Sequence, residues 1–245
     1  MIKLSICIST LNRAGYIKQT LDTIVPQLNE NVELIIVDGG SSDNTKDIVE
    51  KYINQNTCVK YFQEIINSGF DIDYDKAIKY SQGEFCWLMT DDDLLELNAV
   101  NKVLSKIKKN IDLIIVNSKV MNTDFSIVLS ERQLKITKDV LYSDERNILL
   151  KYVGASLSSI CCIVIRRSVW LSRNREPFYG TFFIHVGVVF QSPQINNIYL
   201  ISDPLILIRY GNATWTQNAF KIWNLDWPKL IWSFNSLSYD EKIKI

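Results

Sequence analysis

Five short apolar runs, Leu4–Ser9, Glu33–Asp38, Val59–Gln63, Phe85–Met89 and Leu113–Asn117, alternate with segments whose apolar residues recur at helical spacing. Near-continuous apolar runs suit strands covered on both faces, as in a parallel sheet. Between them, Tyr16–Leu28 lines up Ile17, Leu21, Ile24, Val25 and Leu28 on one face, with Pro26 near the end. Thr45–Ile53 groups Ile48, Val49, Tyr52 and Ile53 behind Ser42 or Asp43 as N-cap, and Val100–Ile107 repeats the pattern. This alternation predicts an α/β fold, a doubly wound and mostly parallel sheet with right-handed crossovers, flanked by helices.

The second half is less regular. Asp144–Tyr152 reads as a helix and Ile160–Ile165 as a buried strand. Tyr199–Ser202 and Leu205–Arg209 read as short strands around Pro204. Asn218–Phe234 reads as a mixed helix carrying Trp223, Trp227 and Trp232. No repeat or low-complexity linker divides the 245 residues, so one domain with an irregular C-terminal portion is expected.

Composition excludes several classes. A hydrophobic content of 47% is too high for a disordered chain. The 27 basic residues balance 27 acidic ones without a basic stripe, so a nucleic-acid partner is not expected. The lysines of Lys102–Lys109 are spaced like the wet face of a helix. Cys7, Cys58, Cys86, Cys161 and Cys162 form no C-x-x-C pair, and four of them lie in apolar runs, which favours a reducing compartment. Met1-Ile2-Lys3 leads into a strand rather than a signal peptide. No apolar run approaches the roughly 18 residues that span a bilayer. The expected location is the cytoplasm. The tail tryptophans suit either the core or peripheral contact with the inner face of the cell membrane.

The chemistry gathers where strands end. Strand one runs into Ser9-Thr10-Leu11-Asn12-Arg13, strand two into Asp38-Gly39-Gly40-Ser41-Ser42-Asp43, and strand four into Thr90-Asp91-Asp92-Asp93. Open α/β sheets bind ligands beyond the carboxyl ends of their strands, so all three clusters fall at one edge. Three consecutive carboxylates repel one another unless a cation or a ring of donors compensates them. Hard oxygen ligands of this kind suit Mg²⁺ or Mn²⁺ bridged to substrate phosphates. The alternative is a solvated turn capping the helix near Asn98. A base-reading carboxylate, glycine-turn donors and a metal site would together hold a nucleoside diphosphate. Only Gly15 follows strand one, so G-x-G-x-x-G and the Walker A loop are absent, as are a kinase signature and a G-x-S-x-G elbow.

These motifs resemble a known family. Ser9–Arg13, Val37–Thr45, Asn67–Gly69, Gly83–Phe85 and Asp92–Leu95 look like family 2 glycosyltransferases of the GT-A fold, over roughly the first 115 residues. The resemblance implies a nucleotide-sugar donor, a Mn²⁺ or Mg²⁺ cofactor and inversion at the anomeric carbon. It divides the chain into a nucleotide-binding half, 1–117, and an acceptor-side half with a helical tail, 118–245. By the same resemblance Asp38 contacts the base, Thr10, Asn12 and Arg13 line the nucleotide pocket, and Asp91 faces the ribose.

Three positions depart from the family pattern. Thr90 stands at the first Asp of Asp-x-Asp-Asp, which makes Asp92 the leading metal ligand with Asp93 behind it. Tyr74-Asp75 replaces the Arg-Asn pair commonly found ahead of Gly83. His185, the only histidine in the chain, stands where the family's catalytic Asp would be. An imidazole with an ordinary pKa near ~6.5 suits a general base at neutral pH, and a core histidine is the competing reading. Glu176 and Asp203 are the reserve candidates. The run Arg209–Trp215, followed by Phe220–Trp223, is similar to bacterial transferases that add dideoxyhexoses such as abequose in O-antigen assembly. Exposed aromatics stack on sugar faces, so Trp215 could help to hold the acceptor, expected to be a lipid-linked oligosaccharide; a buried tryptophan is the commoner outcome. A sugar nucleotidylyltransferase would carry Gly-x-Gly-Thr-Arg after strand one, which Thr10–Gly15 does not supply. A non-catalytic nucleotide- or glycan-binding module is the rival outside enzymes.

Overall fold

One mixed sheet organises the computed structural model, which describes residues 1–143, 153–212 and 218–243. Strands β1 (Leu4–Thr10), β2 (Val32–Asp38), β3 (Val59–Gln63) and β4 (Phe85–Met89) run parallel in the order β3-β2-β1-β4. Helices α1 (Ile17–Ile24), α2 (Thr45–Ile53) and α3 (Phe70–Tyr80) connect them. Every residue of β1, β2 and β4 is buried, as continuous apolar runs require. The register pairs Thr10 with Asp38 and Ile8 with Met89, which brings the polar ends of β1, β2 and β4 to one edge.

The sheet continues through later elements. These are β5 (Leu94–Leu95), α4 (Ala99–Lys106), β6 (Leu113–Met121), β7 (Val128–Ser130), β8 (Val140–Ser143) and β9 (Ile163–Arg166). Helices α5 (Arg167–Leu171) and α6 (Ile184–Phe190) precede β10 (Asn197–Arg209). Strand β9 is inserted antiparallel between β4 and β6, and β10 then pairs parallel with β6. Arg209, the last residue of β10, therefore reaches the same edge as the acids after β4.

Several elements differ from the sequence expectation for identifiable reasons. Ile160–Cys162 forms a 3₁₀ turn, and the strand starts at Ile163. The Cys161 carbonyl there accepts the buried Trp87 indole N–H at 2.8 Å. The two strands expected around Pro204 are one strand with register shifts at that residue, since proline has no N–H for the ladder. Helix α1 ends at Ile24, and Pro26 lies in a 3₁₀ turn, Val25–Gln27. The expected helix Asp144–Tyr152 lies outside the described residues, as does Trp215.

Gly83 sets the entry to β4. Its N–H donates to Ser5 Oγ at 2.8 Å, and a Cβ there would lie 2.5 Å from that oxygen and 2.6 Å from the Ser5 nitrogen. Only a residue without a side chain lets the two backbones approach this closely.

Candidate active site

Arg13 joins the strand ends electrostatically. Its Nε donates to Asp91 Oδ1 at 3.2 Å, and its Nη2 donates to Asp92 Oδ2. The guanidinium lies 4.4 Å from the centre of the Tyr16 ring, and the Arg13 N–H donates to Thr45 Oγ1 at 3.0 Å. Arg209 arrives from β10. Its N–H donates to Asp93 Oδ1 at 2.8 Å and its Nε to the Asp92 carbonyl at 3.0 Å. Asn212 Nδ2 donates to Asp92 Oδ2 at 2.7 Å.

These contacts argue against a solvated turn. The Asp91 and Asp92 side chains are 13% and 16% exposed, and Asp93 is buried. The N-cap of α4 is Asn98, not one of the three acids. Burial first, then the charge of Asp92, raises the carboxyls of Asp91 and Asp93 well above the usual carboxylate range; Arg13 and Thr10 pull Asp91 back only in part. At Asp91, burial and the charge of Asp92 thus outweigh what Arg13 and Thr10 offset.

A divalent cation fits this donor set. Among the described residues no three His, Cys, Asp or Glu side chains form a ready metal cage. None is needed where one or two carboxylates share the ion with substrate phosphates. Asp92 is the more exposed of the two partly open carboxylates. Asp93 stands behind it, with its oxygens taken by the Arg209 N–H and the Thr90 hydroxyl.

The expected nucleotide residues are largely engaged by their own chain. Asp38 is fully buried; its Oδ1 accepts the N–H groups of Gly40 (3.0 Å) and Ser41 (2.7 Å), and its Oδ2 accepts the Tyr61 hydroxyl. Asn12, at φ 54°, donates its N–H to Ser41 Oγ and accepts the Ser42 N–H through Oδ1, both at 2.8 Å. It stitches the first loop to the second. Thr10 is buried beside Asp91.

Residues 5–171 match glycosyl transferase family 2. This chain belongs to that family. The abequosyltransferase RfbV of Salmonella typhimurium is 25% identical over 231 residues, covering 88% of this chain and 69% of that protein. The GalNAc(5)-diNAcBac-PP-undecaprenol beta-1,3-glucosyltransferase of Campylobacter jejuni is 26% identical over 183 residues, 74% of this chain and 57% of that protein. Among solved structures, residues 1–349 of S. aureus TarS in complex with UDP give a TM-score of 0.70 at 21% identity, over 98% of this chain and 68% of that one. Mannosyltransferase PcManGT from Pyrobaculum calidifontis, in complex with GDP-Man and Mn²⁺, gives 0.61 at 14% identity, over 94% and 62%. The fold is GT-A, and the protein is a nucleotide-sugar-dependent glycosyltransferase.

In this glycosyltransferase, the Tyr74-Asp75 pair packs rather than facing the strand edge. Tyr74 donates its hydroxyl to the Met89 carbonyl at 2.7 Å, just ahead of the acids. Asp75 accepts from Trp170 Nε1 (2.9 Å) and the Tyr179 hydroxyl (2.7 Å), and it pairs with Arg175 and Lys79. Asp71 accepts the N–H groups of Phe182 (2.9 Å) and Ile184 (3.1 Å), clamping the start of α6 to α3. His185 follows within α6 and is 1% exposed. Its Nε2 lies 2.9 Å from the Leu157 carbonyl, and burial pushes its pKa down to about 4. Glu176 is exposed, and Asp203 pairs with Lys102 at 2.9 Å.

Sequence reasoning missed Arg209 and Asn212 as parts of the acidic cluster. The available signal was the polar run Arg209–Asn212 closing an apolar strand. Gly211 marks its turn at φ 101°, where a Cβ would meet the Thr123 hydroxyl at 2.9 Å.

Proposed function

We propose that this glycosyltransferase moves a sugar, with inversion, from a nucleoside-diphosphate donor to a lipid-linked oligosaccharide acceptor in bacterial surface polysaccharide (O-antigen) assembly. The observation that carries the reading is the carboxylate triplet held by Arg13 and Arg209 at the shared strand edge. In it, residues 1–117 hold the donor and 118–245 face the acceptor. Asp92, with Asp93 behind it, would hold Mn²⁺ or Mg²⁺, which supplies charge neutralisation for the departing diphosphate. The Salmonella relative, an abequosyltransferase, and the Campylobacter relative, which acts on an undecaprenol-linked glycan, support the surface-polysaccharide and lipid-linked elements of the reading. The test is nucleoside diphosphate release from UDP-, CDP-, GDP- and dTDP-sugars, with Mn²⁺ and with EDTA. Release with one base, lost in EDTA, is expected. Sugar-nucleotide synthesis from a sugar 1-phosphate and a nucleoside triphosphate would contradict it, as would tight donor binding with no turnover on any acceptor.

The general base divides position from burial. Position in the family assigns it to His185, but an acceptor hydroxyl must come within hydrogen-bond reach of a base, and this ring is enclosed. Burial favours a packing role. His185→Ala is therefore expected to lower the melting temperature while turnover per folded molecule stays within a few-fold. A loss of about 10²–10⁴-fold in a stable variant would instead establish the base.

Peripheral membrane contact is the remaining part of the reading. Among the described residues no helix is long and apolar enough to cross a membrane. Trp227 packs against Phe183 with ring centres 4.7 Å apart, whereas Trp223 and Trp232 are 39% and 49% exposed. Indole rings at an outer face favour the bilayer interface. Co-sedimentation with anionic vesicles is expected, and its absence would remove this part of the proposal.

A further inference from the structure

Asp73 is the one acid in the first two turns of α3 to which nothing above assigns a role. It is 2% exposed, and its Oδ1 has no hydrogen-bond partner among the described residues. Its Oδ2 lies 2.9 Å from the point a Cβ on Gly39 would occupy, with Asn67 Oδ1 3.4 Å from the same point. The Asp73 carboxylate thus fills the space that a side chain from the end of β2 would take. Neighbouring groups are occupied: Lys76 bonds Glu64 (2.7 Å) and Ser68 (2.9 Å), and Asn67 Oδ1 accepts the Gly69 N–H at 2.8 Å. Burial raises the Asp73 pKa to about 6, with Lys76 pulling it down and Glu64 and Asp38 adding to the rise. A buried carboxylate oxygen without a donor is costly unless a ligand brings one.

Place in the sheet says what that donor is. Strand β2 lies two neighbours from β4, about 10 Å at ordinary strand spacing. A nucleotide with its diphosphate at the acids after β4 and its ribose over β1 brings its base to the end of β2. Asp38, at that end, already has its oxygens filled by Gly40, Ser41 and Tyr61. We propose that Asp73 accepts a hydrogen bond from an N–H on the edge of the donor's base, so that α3 rather than β2 selects the nucleotide. This rests on the donor reading above.

The test is calorimetric titration of UDP, dTDP, GDP and CDP in Mn²⁺, with ribose 5-phosphate and pyrophosphate as base-free probes. Asp73→Ala and the isosteric Asp73→Asn are expected to weaken the preferred nucleotide by about 10- to 100-fold and leave the base-free probes unchanged. Adding Gly39→Asp to Asp73→Ala returns a carboxylate to the same space and is expected to recover most of the loss. Unchanged affinity in both single variants, equal loss of the base-free probes, or loss without recovery in the double variant would each overturn the assignment while leaving the donor reading intact. A wild-type protein that binds none of the four nucleotides would overturn the donor reading and this assignment with it.

Discussion

Asp92→Asn is expected to lower turnover by about 10³-fold, the equivalent of about 4 kcal/mol of transition-state stabilisation. The substitution keeps the shape and most hydrogen-bonding capacity of the side chain and removes one negative charge. Asp92, at 16%, is the most exposed member of the triplet, so it is the carboxylate at which a cation shared with donor phosphates would sit. Stability should change little. The variant weakens one Arg13 pairing, but it also removes the charge that helps to raise Asp91 and Asp93. Turnover across a Mn²⁺ titration, beside a thermal melt, separates the two effects. Turnover near wild type at saturating Mn²⁺ would place the cation elsewhere.

Arg13→Ala should instead act on the fold. It strands two carboxylates that are 13% and 16% exposed and share one guanidinium. Removing one partner from a largely buried ion pair costs about 3–5 kcal/mol, because the remaining charge is uncompensated. Taking the lower end for partial exposure, the melting temperature of a chain this long falls by roughly 6–12 °C. Mn²⁺ should narrow the gap to wild type, since a bound cation replaces the lost charge. A gap unchanged by Mn²⁺ would mean that no cation sits at Asp92 beside Arg13. Arg13→Lys keeps the charge but loses the forked geometry, and an intermediate melt is expected.

The strand ends were legible in the sequence because parallel strands buried on both faces leave uninterrupted apolar runs. Val59–Gln63 and Phe85–Met89 have the expected bounds, and β1 and β2 differ by one residue each. Helix α3 was not legible. Its Asp71, Asp73 and Asp75 are buried acids on a helix, which erases the apolar stripe that would announce it. Arg209 and Asn212 lie 116 and 120 residues from the acids they bond, so only the sheet order brings them together. Asp38 shows a further limit of sequence. Its place at the end of β2 was readable, but whether its oxygens face a ligand or the Gly40 and Ser41 amides depends on how the turn folds.

The central claim is that the acids after β4 bind a nucleoside diphosphate through a divalent cation. Titration of the preferred nucleoside diphosphate into the wild-type protein, in Mn²⁺ and in EDTA, tests it most directly. The account predicts binding in Mn²⁺ that weakens at least tenfold in EDTA and is insensitive to EDTA in Asp92→Asn. Equal affinity of the wild-type protein with and without the metal would contradict it.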